Sequence, residues 1–309
     1  MIIDGKEIAR AFPRKTKATP TDELAFVGLP TRKDFKAAEA ADEIHVSVTF
    51  TYDIPKSEAI AKKWVEAGFN VKMGGPAFGD RFSDTFTPGL YMADGYTFTS
   101  RGCPNHCWFC SVWQTCRGKI KELEIKDGWK ICDDNVLATS PEHFQAVIEM
   151  LKRQPHPAEW TGGIEAKILK PWHAELMRSV KTRRIYCAYD TPDDLEPLIE
   201  AGKIFRQAGF TEASNVLMCY CLIGYKGDTF DAAELRLRQA VEAGFMPFAM
   251  LYKDAQGNTD EEWRRFQRTW AAPQIVGTKV REIRNARKRA NNGQQTDHGG
   301  HEAEAAGHV

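Results

Sequence analysis

The alternation of apolar and polar residues along the chain changes character near Ile44. Before that point Pro13, Pro20 and Pro30 fall among many charged side chains, and the first forty residues read as an irregular leader. From Ile44 the string IHVSVTFT has the β-branched alternation of a half-buried strand. Pro55 then opens an amphipathic helix reaching about Ala67, and FNVKMGG (69–75) predicts a second strand that ends in a turn at Gly74, Gly75 and Pro76.

From Tyr96 onward strand-like and helix-like segments take turns. YTFTS (96–100), WKICDDNVLA (129–138), AEWTGG (158–163), RRIYCAYD (183–190), NVLMCYCLIG (215–224) and FMPFAML (245–251) predict strands. Residues 141–154, 170–182, 193–209 and 230–244 carry apolar side chains at helical spacing. This alternation requires parallel strands joined by right-handed crossovers. Six strands predict a partial (β/α)6 TIM-like barrel, with a small N-terminal Rossmann-like α/β addition; a doubly wound sheet has the same element order. One crossover is irregular: residues 111–128 contain two glycines and a KIKELEI alternation that suits a short strand. The predicted organisation is a leader and truncated α/β unit over 1–90, the barrel over 91–277, and a basic helix with a disordered tail over 278–309. That tail, 291–309, has almost no large apolar residue, and His298, His301 and His308 belong to its solvated part.

Composition adds little until the cysteines are counted. Lys+Arg and Asp+Glu are each 42 in 309 residues, so net charge names no partner. The basic string RKRANN (287–292), with Arg281 and Arg284 before it, leaves nucleic acid open without supporting it. The chain has no apolar run of membrane-span length and no signal-peptide core at its N-terminus, which predicts a cytoplasmic protein. Thiols stay reduced in that compartment, so clustered cysteines call for metal or catalysis. Of the eight, Cys132, Cys187, Cys219 and Cys221 sit in apolar surroundings and read as small buried hydrophobes.

The other four lie close together in TSRGCPNHCWFC and just beyond it, and Gly102 permits a tight bend into that loop. Cys103, Cys107 and Cys110 are separated by three and then two residues. Three thiolates satisfy three irons of a cubane and leave the fourth open, the logic of a catalytic rather than a closed metal site. Three other readings compete: a structural zinc site completed by His106 or Cys116, an electron carrier with Cys116 as fourth ligand, and a non-catalytic iron-sulfur scaffold.

This spacing resembles that of the radical SAM superfamily, and the likeness extends from about Tyr96 to Pro273. The N-terminal strand, helix and strand look like a truncated cobalamin-binding domain of the cobalamin-associated branch, although the Asp-x-His-x-x-Gly segment is missing. The resemblance implies a [4Fe-4S] cluster on Cys103, Cys107 and Cys110, with S-adenosyl-L-methionine (SAM) chelated at the open iron. It implies reductive SAM cleavage to a 5'-deoxyadenosyl radical acting on an unidentified substrate, and a reductant such as flavodoxin or ferredoxin. It places Phe109 near the adenine, Asp133, Asp134 and Asn135 at the methionyl amine, and Asp190 at the ribose or amine. Glu165 ends a Gly-Gly-Ile-Glu string for which a ligand role and a structural role both stand. Gly224 belongs to LIGYKGDT, which resembles a Gly-x-Pro-Gly-Glu-Thr stretch with Lys226 and Asp228 in place of the proline and glutamate. Asp134, Glu165, Asp190 and Asp228 all fall near strand ends, where parallel barrels gather functional groups, whereas Asp193 and Asp231 read as turn or cap residues.

Overall fold

The computed structural model describes residues 2–79, 86–254 and 256–298. The chain is α/β with mixed, mostly parallel sheets, in two compact units. One comprises Met1–Tyr186 with Asp254–Asn258, the other Cys187–Lys253 with Thr259–Val309.

The first unit begins with β1 (Ile2–Ile3), β2 (Lys6–Phe12), β3 (Ala25–Val27), α1 (Arg32–Ala37), β4 (Glu43–Ser47), α2 (Ile54–Glu66) and β5 (Val71–Gly74). Strand β2 pairs antiparallel with β1 and parallel with β3 and β4, and β5 continues parallel beside β4. The supposed leader therefore holds a central strand. Its pattern was masked because Lys6, Glu7 and Arg10 make KEIARAF look polar, while Arg10 is in fact fully buried. The Arg10 guanidinium donates to the Leu90 carbonyl (2.9 Å) and to Asp22 (2.5 Å), so the burial of its charge is compensated.

Strand alternation gives this sheet two unlike faces. Ala9, Ala11, Ile44, Val46 and Val48 form a core with Ile60 and Trp64 of α2. Around Trp64 stand Phe26, Phe35 and Phe69, with ring centroids 5.2, 5.2 and 5.0 Å away. Glu43 and His45 occupy the opposite, polar face.

Further along the first unit come β6 (Tyr96–Thr97), β7 (Ser100–Arg101), α3 (Val112–Cys116), β8 (Lys121–Glu122), β9 (Lys130–Ile131), α4 (Pro141–Lys152), β10 (Ala158–Ile164), α5 (Pro171–Arg178) and β11 (Thr182–Ala188), whose last two residues are counted with the second unit. Strand β9 lies parallel between β6 and β10, and β11 follows β10. The irregular crossover is a short helix followed by β8, which turns back antiparallel on β7. Residues 129–138 make only a two-residue strand, because the chain turns away at Asp133 and Asp134 and forms a helical turn at Val136–Ala138.

The second unit contains α6 (Leu195–Gln207), β12 (Leu217–Ile223), α7 (Phe230–Glu242), β13 (Met246–Leu251), α8 (Glu261–Ala271) and α9 (Pro273–His298). Strands β12 and β13 pair in parallel from Met218↔Met246 to Ile223↔Leu251. Met218, Tyr220 and Leu222 thus share a face with Met246, Phe248 and Met250, while Cys219 and Cys221 are buried on the other. Strand β13 ends its sheet; Pro247 has no amide proton to offer and Gln267 of α8 caps the Ala249 carbonyl at 3.0 Å. Helix α9 extends to His298, beyond the predicted helical stretch, and His301 and His308 lie outside the described residues. No helix among the described residues is long and apolar enough to cross a membrane.

Trp64 joins α1, α2 and the sheet of the N-terminal strands, so Trp64→Ala should cost about 3–5 kcal/mol of stability. Urea unfolding followed by far-ultraviolet circular dichroism measures this, and a loss below about 1 kcal/mol would refute the packing described.

Candidate functional site

The cysteine loop leaves β7 through Gly102, whose φ of 100° is left-handed. A Cβ there would lie 2.0 Å from the Lys119 carbonyl oxygen, so no other residue fits without moving the returning chain. The Gly102 amide donates to Asp134 Oδ2 at 2.8 Å, and Cys110 N donates to the Cys107 carbonyl at 3.0 Å, closing the turn that carries the last two cysteines of the motif. Cys103, Cys107 and Cys110 are half-buried and Cys116 is buried.

Cys116 is occupied by the loop itself. Its Sγ accepts from the Cys103 amide (3.5 Å) and donates to the Cys103 carbonyl (3.3 Å), so this thiol fixes the backbone of the first cysteine of the motif. Burial pushes the Cys103 thiol up; hydrogen bonds from Asn105 and Asn135 oppose the shift, and Glu165 and Cys110 add to it. Cys110 and Glu165 therefore each lie within electrostatic reach of Cys103. Among the described residues no three His, Cys, Asp or Glu side chains stand together closely enough to hold a metal ion. Trp108 is exposed, and Phe109 is half-buried with its ring perpendicular to that of Trp108 at 5.3 Å.

The end of β9 supports this loop from beneath. Asp133, 1% exposed, accepts from Thr99 N (2.6 Å), Thr99 Oγ1 (2.6 Å) and Ser100 Oγ (2.7 Å). Burial raises its pKa, and the three donors partly offset that. Asp134 holds Gly102, as described above. The next residue, Asn135, is also buried; its Nδ2 donates to Glu165 Oε2 (2.5 Å) and to Cys103 Sγ (3.6 Å). Its Oδ1 has no partner among the described residues. Glu165 starts a short helical turn without capping it, and its carboxylate goes to Asn135 instead. Gly162 allows the approach of the two strand ends, since a Cβ there would sit 1.8 Å from the Asp133 carbonyl oxygen.

Four of the residues singled out in the sequence, Cys103, Asp134, Asn135 and Glu165, are thus joined in the first unit, with Asp133 below them. Asp190 and Gly224 belong to the second unit. There Asp190 is largely enclosed and accepts from Leu222 N at 2.9 Å; burial pushes its carboxyl up to about 6, and Asp194 adds to the shift. Gly224, with φ 73°, donates to Asp228 Oδ2 (2.8 Å), the same oxygen that accepts from Arg236 Nη2 (2.8 Å), in a pair whose side chains are largely buried. Thr191 and Thr229 cap the helical segments that follow them, so neither Asp193 nor Asp231 is a cap and each lies in a first turn. Sequence reasoning missed the Thr99 and Ser100 clamp and the role of Cys116. The signal for the first was present in two hydroxyl residues directly before the loop; for the second there was none.

The chain matches no protein-family model, and no curated protein sequence matches it.

Asp190 generates a pH test. Its folded value near 6 lies above the unfolded value near 4, so between these the folded chain keeps a proton that the unfolded chain releases. This contribution is fully present below about pH 4 and is lost as pH rises through about 6, a change of about 2–3 kcal/mol. Urea unfolding across this range should show a decline that Asp190→Asn removes; identical profiles for both proteins would contradict the assignment.

Proposed function

We propose that the chain is a radical SAM enzyme that holds a [4Fe-4S] cluster on Cys103, Cys107 and Cys110. The observation that carries this reading is the placement of four neighbouring cysteines: Cys116 is buried and bonded to the Cys103 backbone, while Cys103, Cys107 and Cys110 are half-buried on one short loop. A set of three suits a cluster with one open iron, and the engagement of Cys116 with the Cys103 backbone disfavours a four-thiolate carrier or a zinc site that takes Cys116 as its fourth ligand. The unpartnered buried Asn135 Oδ1 beside Cys103 is a further point of fit, since a buried acceptor calls for a donor.

When bound, the cluster supplies the electron that breaks a carbon-sulfur bond of SAM, giving methionine and a 5'-deoxyadenosyl radical that takes hydrogen from the substrate. The remaining roles belong to the protein. Asn135 and Glu165 offer an acceptor and a carboxylate for the ammonium group of the methionine moiety, Asp133 and Asp134 hold the loop, and Phe109 offers a ring to the adenine. The finer fold that goes with this reading is the partial (β/α)6 barrel, built from β6 and β9 to β13, with electrons from a flavodoxin or ferredoxin in the cytoplasm.

Anaerobic purification with iron and sulfide analysis, followed by reduction in the presence of SAM, tests the reading. The wild type and Cys116→Ala should carry the iron chromophore and release 5'-deoxyadenosine, whereas Cys107→Ala should lose both. Glu165→Gln should keep its iron and bind SAM about tenfold or more weakly, as expected for loss of one charge-assisted hydrogen bond. Iron-free wild type containing one zinc per chain would refute the reading.

A further inference from the structure

The polar face of the N-terminal sheet carries an arrangement that the cluster reading does not use. Strand β4 presents Glu43 and His45 there, two residues apart, with Arg10 and Lys72 as the register partners of His45 on the neighbouring strands. Glu43 is 3% exposed and accepts from His45 Nε2 (2.9 Å), Lys72 Nζ (2.7 Å) and Lys6 Nζ. Hydrogen bonds from His45, Lys6 and Lys72, in that order, hold its carboxyl down to about 2, so it is ionised at any physiological pH.

A carboxylate can only accept, so the Nε2 of His45 carries the ring proton. In the neutral ring that fixes the tautomer and leaves Nδ1 as an acceptor. The Tyr91 hydroxyl lies 2.5 Å from Nδ1 and therefore donates to it, with the two rings nearly parallel at 20° and 6.0 Å apart. Tyr91 is held in place by its neighbours: buried Arg10 binds the Leu90 carbonyl, and Ala93 N donates to the Ala18 carbonyl at 2.8 Å. Tyr91 as a residue is 39% exposed, so solvent reaches its side chain.

We propose that Tyr91 is a proton-coupled redox site, giving one electron to an organic radical or a high-potential metal complex while its hydroxyl proton passes to His45 Nδ1. The products are a neutral tyrosyl radical, the reduced oxidant, and an imidazolium whose charge Glu43 balances. An electron from a reductant, with return of the proton from Nδ1, restores the phenol. The same three groups also have the order of nucleophile, base and orienting carboxylate. That reading is weaker, because burial raises the pKa of the phenol and Glu43 adds to the rise against the opposing Arg10, which disfavours a ground-state phenolate. A phenol that has lost an electron is a strong acid, so the hydrogen bond carries its proton only in the oxidised state. Lys6 and Lys72 complete the charged groups that meet Glu43, and neither is hydrogen-bonded to the imidazole.

Flash-generated ruthenium(III) tris-bipyridine applied to the full chain near neutral pH tests the site without iron or SAM, so its outcome is separate from that of the cluster experiment. The readouts are tyrosyl absorption and electron paramagnetic resonance. The dominant radical should disappear in Tyr91→Phe, although seven of the eight tyrosines remain. His45→Phe should slow its formation on the order of a hundredfold, the loss expected for removing a positioned proton acceptor. Glu43→Gln, which keeps the imidazole and removes its counter-charge, should slow it by a smaller factor, and circular dichroism verifies that each variant is folded. A radical of wild-type size in Tyr91→Phe, or an unchanged rate in folded His45→Phe, overturns the proposal.

Discussion

The buried carboxylate of Asp133 is the constraint on which the arrangement of the cysteine loop rests. A charge 1% exposed is tolerated only where donors replace its lost water, and Thr99 and Ser100 provide three. Those residues immediately precede the loop, so satisfying Asp133 also sets where the loop begins. Asp134 repeats the device one residue on by taking the Gly102 amide, and Asn135 completes it at Cys103. Three consecutive side chains at the end of a two-residue strand thereby locate a segment whose own secondary structure is slight.

Much of this architecture was legible in the sequence, and the parts that were not have identifiable causes. The helices over 141–154, 193–209 and 230–244 and the strands β10, β12 and β13 follow from periodicity, because their apolar faces meet ordinary cores. Strand β2 escaped notice because a buried arginine reads as a surface residue until its partners are known. The ten-residue strand expected at 129–138 failed because two aspartates that satisfy backbone and hydroxyl donors end the ladder early. The three cysteines could be singled out from spacing, and Glu165 from its place at a strand end after two glycines. That Glu165 turns to Asn135 instead of capping its own turn depends on a side-chain contact 30 residues apart, which no local pattern encodes.

The basic stretch near the C-terminus also has a structural account. Arg284 and Arg287 both reach Glu212, Arg287 also donates to the Glu242 carbonyl at the end of α7, and Lys279 meets Glu234. Glu234 additionally accepts from the Trp270 indole. These cations are committed to fastening α9 within the second unit, so the charge run is at least partly an internal clasp. Zero net charge over the whole chain is consistent with such local pairing.

The treatment of strand β13 has a consequence for how the protein behaves in a crowded solution. With a proline at one outward position and a glutamine side chain seated on the next carbonyl, the border of that sheet offers little for a foreign strand to grip. Pairing of a foreign strand with that border is hindered at two positions, even though Phe248 and Met250 on the same strand are exposed. Selection can therefore retain a sticky face on β13 without the usual hazard of polymerisation.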